Sequence, residues 1–218
     1  MNSYEIEKIV KQVMLSLDKR LESALDAVPV GVSARHVHLS KEHFEILFGL
    51  NGAMKPVKQL VGGQYACAQQ VSIVSGSLKC IEKARVIGPF RDESQVEISR
   101  TDARFLDVAA PVRPSGETRE TPGVSLVGPC GSVTLKHGLI IANRHIHMPV
   151  DLAKRIGRKD GDLVDCLLEG ERKTIFCDVQ LRVDPSFELE MHIDVDDANA
   201  VGLKPSAAAR ILPRGMKP

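Results

Sequence analysis

Two histidine pairs of the form H-x-H, His36-Val37-His38 and His145-Ile146-His147, carry the side chains best suited to hold a small cation. On a strand, residues i and i+2 point to the same face, so the two imidazoles of a pair can reach one ion. Both pairs sit in the same local context. Ala34-Arg35-His36-Val37-His38-Leu39 reappears as Asn143-Arg144-His145-Ile146-His147-Met148. A second echo lies downstream, where Glu97-Ile98-Ser99-Arg100-Thr101-Asp102-Ala103-Arg104 aligns with His192-Ile193-Asp194-Val195-Asp196-Asp197-Ala198-Asn199. Glu97 then falls opposite His192. A duplicated unit gives two triplets: His36, His38 and Glu97, and His145, His147 and His192. Three ligands drawn from His and Glu, plus one open position, are the usual composition of a catalytic zinc site. An open position lets a metal act as Lewis acid or hold thiolate or hydroxide. A lone H-x-H is weak evidence, since many are surface pairs or core histidines; the repeat is what gives the signal weight.

Other chemistry-bearing residues are sparser. Arg91 stands in Gly88-Pro89-Phe90-Arg91-Asp92, just after a strand-like run. An arginine there can grip phosphate or carboxylate bidentately. On the residues alone, a solvated turn arginine is the stronger reading. Gly62-Gly63-Gln64-Tyr65-Ala66 lacks the spacing of a nucleotide-binding loop. His43 and His137 have no echo and read as surface residues. Five cysteines, with no C-x-x-C pair, read as thiols that serve mainly as small buried hydrophobes.

The elements that must position these groups follow from pattern and composition. A chain of 218 residues with 43% hydrophobic and 26% charged content is a globular protein of one medium or two small domains. A net charge of +1 advertises neither nucleic acid nor an anionic membrane as partner. No apolar run approaches the roughly 18 residues that would cross a bilayer, and no secretory signal opens the chain. Residues 3–26 show helical periodicity, with Ile6, Ile9, Val10, Val13, Leu17, Leu21 and Leu25 on one stripe. That segment serves equally as a packed terminal helix or as a docking helix for a partner groove. Beyond it come short strand-like runs, among them 28–33, 71–74, 84–87, 95–99, 139–142, 163–168, 175–182 and 189–195, separated by Gly and Pro turns. Ser40, Thr101, Pro149 and Asp196 can each start a short helix. Residues 111–131, rich in Pro and Gly, read as a crossing loop or seam. The expected fold is mainly β: small β-barrels with short capping helices and an N-terminal amphipathic helix.

Gly31-Val-Ser-Ala-Arg-His-Val-His-Leu-Ser40, Gly63-Gln-Tyr-Ala66, Gly88-Pro-Phe-Arg91, Gln95-Val-Glu-Ile-Ser-Arg-Thr-Asp-Ala-Arg104, Ala142-Asn-Arg-His-Ile-His-Met148 and Leu189-Glu-Met-His-Ile-Asp194 resemble the PduL-type phosphate propanoyltransferases, the phosphotransacylases of bacterial microcompartments. The similarity runs from about residue 28 to about 205. It implies a phosphate acyltransferase that interconverts acyl-CoA (propanoyl-CoA, with acetyl-CoA as a further substrate) plus phosphate with acyl phosphate plus CoA. It implies two zinc ions per chain, one on His36, His38 and Glu97 and the other on His145, His147 and His192. Arg91 matches the family's phosphate-binding arginine, which reverses the reading from its turn alone. Val32, Ser33, Ala34, Arg85 and Asn199 match positions that line CoA.

The resemblance also implies a domain plan, two small β-barrels related by internal duplication. Residues 1–24 form a targeting helix and linker, 25–34 plus 143–212 the first barrel, and 35–142 the second, with an inserted hairpin at about 49–69. The helix resembles an encapsulation peptide that binds shell or cargo proteins. The expected location is the microcompartment lumen, otherwise the cytoplasm, in propanediol degradation, and a homo-oligomer is expected. Two other readings of the same residues are a metal-dependent thioester hydrolase and a non-catalytic microcompartment interaction protein. Formation of acyl phosphate separates the first from a transferase, and the two intact triplets argue against the second.

Overall fold

Short β-branched runs broken by turn residues pair here as strands of two sheets. The computed structural model describes residues 25–50 and 52–212. The amphipathic helix expected at 1–24 lies outside them. The described residues form a mainly β chain with four short helices. The described residues divide into two compact units, the first within residues 25–31, 145–191 and 201–212 and the second within 32–144 and 192–200.

The first unit is built around a closed barrel. Its strands are β1 (Val28–Ser33), β11 (His145–Met148), β12 (Leu163–Leu168), β13 (Thr174–Val183), β14 (Glu190–Asp194) and β15 (Ala208–Ile211), closed in the order β1-β14-β11-β13-β12-β15. β1 and β14 each run across a unit boundary. β11 lies parallel to β13, with His145 opposite Gln180 and His147 opposite Arg182. Ile146, Met148, Leu168, Leu181 and Met191 fill its interior, all fully buried. A helix at Val150–Arg155 follows β11, started as expected at Pro149.

The second unit is a sheet, not a second closed barrel. Its strands are β2 (His36–His38), β3 (Pro56–Gln59), β4 (Tyr65–Val74), β5 (Cys80–Gly88), β6 (Gln95–Glu97), β7 (Val112–Arg113), β8 (Ser125–Val127), β9 (Ser132–Thr134) and β10 (Leu139–Ala142). The order is β7-β10-β6-β2-β5-β4-β8-β9, with β3 added on β4. The two-residue, exposed β7 ends one side, which leaves the sheet open rather than closed. The core gathers Val37, Leu39, Phe44, Leu47, Val96, Leu106, Leu126 and Leu139.

Helix starts follow the capping chemistry. α1 (Lys41–Phe48) begins at Ser40, whose hydroxyl accepts the His43 N–H. α2 (Arg100–Leu106) is capped at Ser99, two residues before the anticipated Thr101, because Ser99 and Asp102 form a reciprocal capping box. Two expectations about single residues fail. His43 is no bland surface residue: it is half-buried, with Nδ1 2.8 Å from Ser94 Oγ. Only Cys67 and Cys166 are buried, whereas Cys80, Cys130 and Cys177 are exposed. Among the described residues, no helix is long and apolar enough to cross a membrane.

Candidate metal centre

Strand register builds the first triplet. β2 and β6 pair antiparallel with His36 opposite Glu97, Val37 opposite Val96 and His38 opposite Gln95. Residues directly opposite each other point to one face. The two histidines, Gln95 and Glu97 therefore share a face, while Val37 and Val96 are sealed in the core on the other. One ligand atom from each of His36, His38 and Glu97 lies within 4.8 Å of the others. His36 Nε2 is 3.5 Å from one Glu97 oxygen, and His38 Nε2 is 3.6 Å from the other.

Hydrogen bonds fix the tautomers. His36 Nδ1 is 2.8 Å from the Ala34 carbonyl oxygen. A carbonyl only accepts, so Nδ1 carries the proton and Nε2 keeps its lone pair. His38 Nε2 lies 3.0 Å from an Arg91 guanidinium nitrogen. Arginine only donates, so this Nε2 is also a lone pair. Both rings thus carry their lone pair on Nε2, the nitrogen a metal requires, and a metal on His38 would take the place of its bond to Arg91.

Electrostatics agree with that assignment. Burial lowers the His38 pKa to about 4, against an upward pull from Glu97 and with a further push down from His36 and Arg91. The ring is therefore neutral near pH 7, the form that can ligate. Burial alone would raise the Glu97 carboxyl. Its interactions with His36, His38 and the Ser115 hydroxyl overcome it and hold the group well below the usual carboxylate range. Two imidazoles and one ionised carboxylate, converging from adjacent strands, fit a divalent cation of the zinc type.

Two residues that pattern reading passed over orient this set. Glu97 Oε1 accepts from Gln95 Nε2 at 2.6 Å and from Ser115 Oγ at 2.7 Å. Gln95 Oε1 accepts the Gly116 N–H at 2.8 Å, which ties the 114–117 turn to the strand. Glu117 N–H bonds the Pro114 carbonyl across that turn, and Gly116 has a φ of 103°, the conformation that glycine supplies at its third position. Gln95 could have been found, two residues before Glu97 and on its face. Ser115 carries no sequence signal.

The remaining expected site residues are placed as follows. Arg91 lies beside the triplet, bonded to His38 and, at 3.1 Å, to Ser115 Oγ. Arg85 stands on β5 opposite His36, but its guanidinium turns to the carbonyls of Cys67 and Ala68 on β4. Val32 is exposed, Ser33 half-buried and Ala34 exposed, and Asn199 is exposed on the helix Val195–Val201. His145 and His147 are buried side by side on β11, with ring centroids 5.0 Å apart. The Phe187 ring stacks on His147 at 4.0 Å. His192 is half-buried on β14, and chain contacts assign it to the second unit.

Comparison with known proteins gives a consistent answer. Residues 29–204 match the model of the phosphate propanoyltransferase family. A phosphate propanoyltransferase of Lachnoclostridium phytofermentans is 46% identical over 213 residues, 97% of this chain and all of that protein. One of Thermotoga maritima is 52% identical over 176 residues, 80% of this chain and 83% of the relative. One of Salmonella typhimurium is 47% identical over 189 residues, 85% of this chain and 89% of the relative. With a family model spanning most of the chain and relatives this similar along nearly their whole length, the chain belongs to the phosphate propanoyltransferase family.

Proposed function

We propose that this chain exchanges the CoA of propanoyl-CoA for inorganic phosphate, reversibly, giving propanoyl phosphate and free CoA, with acetyl-CoA as a second acyl donor. The observation that carries this reading is the convergence of His36, His38 and Glu97 with Arg91 bonded to one of the three. His36, His38 and Glu97 would hold one zinc ion, and His145, His147 and His192 a second. Zinc at the first triplet would supply a partner for the soft CoA sulfur and favour its thiolate form.

The chain's own side chains do the rest. Arg91, always charged and fork-shaped, grips two phosphate oxygens and presents a third to the thioester carbonyl. The new bond forms between that oxygen and the carbonyl carbon, and the carbon–sulfur bond breaks. Ionised Glu97 contributes negative charge to the ligand set. Val32, Ser33, Ala34, Arg85 and Asn199 would line CoA. No Ser/His/Asp or Cys/His arrangement is evident in the sequence, which favours direct transfer over an acyl-enzyme. The N-terminal segment would dock on shell or cargo proteins of a propanediol-degrading microcompartment, with the enzyme a homo-oligomer in its lumen. The aligned repeats around the two H-x-H pairs support descent by internal duplication.

The test is product analysis. Propanoyl-CoA should release free thiol only with phosphate present, and the acyl group should be trapped by hydroxylamine as acyl phosphate. Release of thiol and free acid without phosphate would instead make the chain a metal-dependent hydrolase.

A further inference from the structure

The Ser115 hydroxyl sits among three partners, Arg91 in the turn before β6 and Gln95 and Glu97 on β6 itself. It is 3.1 Å from an Arg91 guanidinium nitrogen, 3.0 Å from Gln95 Nε2 and 2.7 Å from Glu97 Oε1. A serine oxygen has two lone pairs and one proton. Arginine and the glutamine amide nitrogen can only donate, so they take both lone pairs. The one proton is left for Glu97, which can only accept. Every hydrogen-bonding capacity of Ser115 is thereby used, and the direction of each bond is forced.

We infer that Ser115 is the positioning residue shared by the metal-ligating carboxylate and the phosphate-binding arginine, a role that rests on the proposed use of the triplet and of Arg91. A cationic guanidinium and a carboxylate bound to the same oxygen are close enough to pair directly if that oxygen is removed. Such a pair would draw Glu97 away from the ion and Arg91 away from phosphate together. Ser115 keeps the two charges apart while holding both. The Pro114–Glu117 turn, fixed to Gln95 through the Gly116 N–H, sets the hydroxyl at that point. Residues that orient a ligand are typically worth about 10- to 100-fold in metal affinity or activity.

The experiment uses the full-length, zinc-loaded protein and three variants: Ser115→Ala, Ser115→Val and Ser115→Thr. Thr and Val match in volume, and only Thr keeps the hydroxyl. Zinc retention is read by competition with a chromogenic chelator, and KM is measured separately for phosphate and for propanoyl-CoA. Ser115→Ala and Ser115→Val should lose zinc affinity about tenfold or more. Their phosphate KM should rise together with that loss, with the propanoyl-CoA KM unchanged. Ser115→Thr should restore both. Wild-type zinc retention in a folded Val variant, a change in only one of the two readouts, or failure of Thr to rescue would overturn the inference. A different pattern marks failure of the underlying site reading: His36→Ala keeps its full zinc content and Arg91→Lys keeps the wild-type phosphate KM.

Discussion

Arg144 holds Asp197 through two parallel bonds of 2.8 Å each, from Nε to one carboxylate oxygen and from Nη2 to the other. Arg35, at the aligned position before the other H-x-H, reaches Asp102 at 3.0 Å. Both carboxylates sit in the first turn of the short helix that follows a strand bearing a proposed ligand. Each is also fixed locally, Asp102 by the Ser99 capping box and Asp197 by its N–H to Asp194. In both places the arginine ties the start of a histidine strand to the helix after the third residue of a triplet.

These pairs predict a ranked loss of stability. Asp197→Ala removes a bidentate but partly hydrated pair and should cost about 1 kcal/mol. Asp102→Ala removes a buried carboxylate that also caps a helix and should cost about 2 kcal/mol. For a chain of this size each kcal/mol lowers the melting temperature by roughly 2–4 °C. Thermal unfolding of the two variants should show the larger drop for Asp102→Ala.

Metal content should follow the two triplets. The purified protein should carry close to two zinc ions per chain, with His36→Ala and His145→Ala each removing mainly one. Elemental analysis of the variants reads this directly. A metal-free protein of full activity would be incompatible with the proposed chemistry.

Arg91→Lys keeps the charge but loses the fork that grips two oxygens. A lost hydrogen bond of about 1.4 kcal/mol reads as about a tenfold change in an equilibrium. Phosphate saturation and turnover should therefore weaken by about that factor or more, with acyl-CoA binding little changed. Steady-state kinetics with each substrate varied in turn gives the answer.

Deleting residues 1–22 should leave turnover close to wild type. The family match begins at residue 29, and every proposed ligand lies at or beyond His36. The same deletion should abolish co-localisation with shell and reduce high-order assemblies, because the apolar stripe is gone. Those residues fused to a fluorescent protein should direct it into microcompartments. A truncated enzyme that loses zinc, together with a diffuse fusion, would place the segment in the body of the enzyme instead.

Much of this was legible from pattern because pattern reports burial. Residues 139–142 and 163–168 are strands with the bounds that the apolar runs suggest. The triplet His36, His38 and Glu97 emerges from an alignment of the chain with itself, and these residues converge. What escaped lacks such a signature. β3 is exposed at all four positions and shows no alternation. β4 runs ten residues and is bulged, with its register against β5 shifting between Ala66 and Gln70 and again between Val71 and Ile73, so alternation marks only the apolar stretch at 71–74. Ser115 acts through a turn in a Pro- and Gly-rich stretch, where side-chain direction is set by tertiary bonds rather than by periodicity. His43 was misjudged because its partner, Ser94, lies far along the sequence.

Pairing of β2 with β6 sets His36 against Glu97, and Gln95 and Ser115 already anchor the carboxylate. Such a ligand set is finished by the polypeptide itself. In a zinc finger, by contrast, folding and loading are one event. If this set takes the proposed ion, the chain can fold first and be charged afterwards from whatever pool surrounds it. Intrinsic affinities of nitrogen and oxygen donors rank copper above zinc. The occupant of such a site would then be decided by address and timing, through the place where the finished protein first meets exchangeable metal.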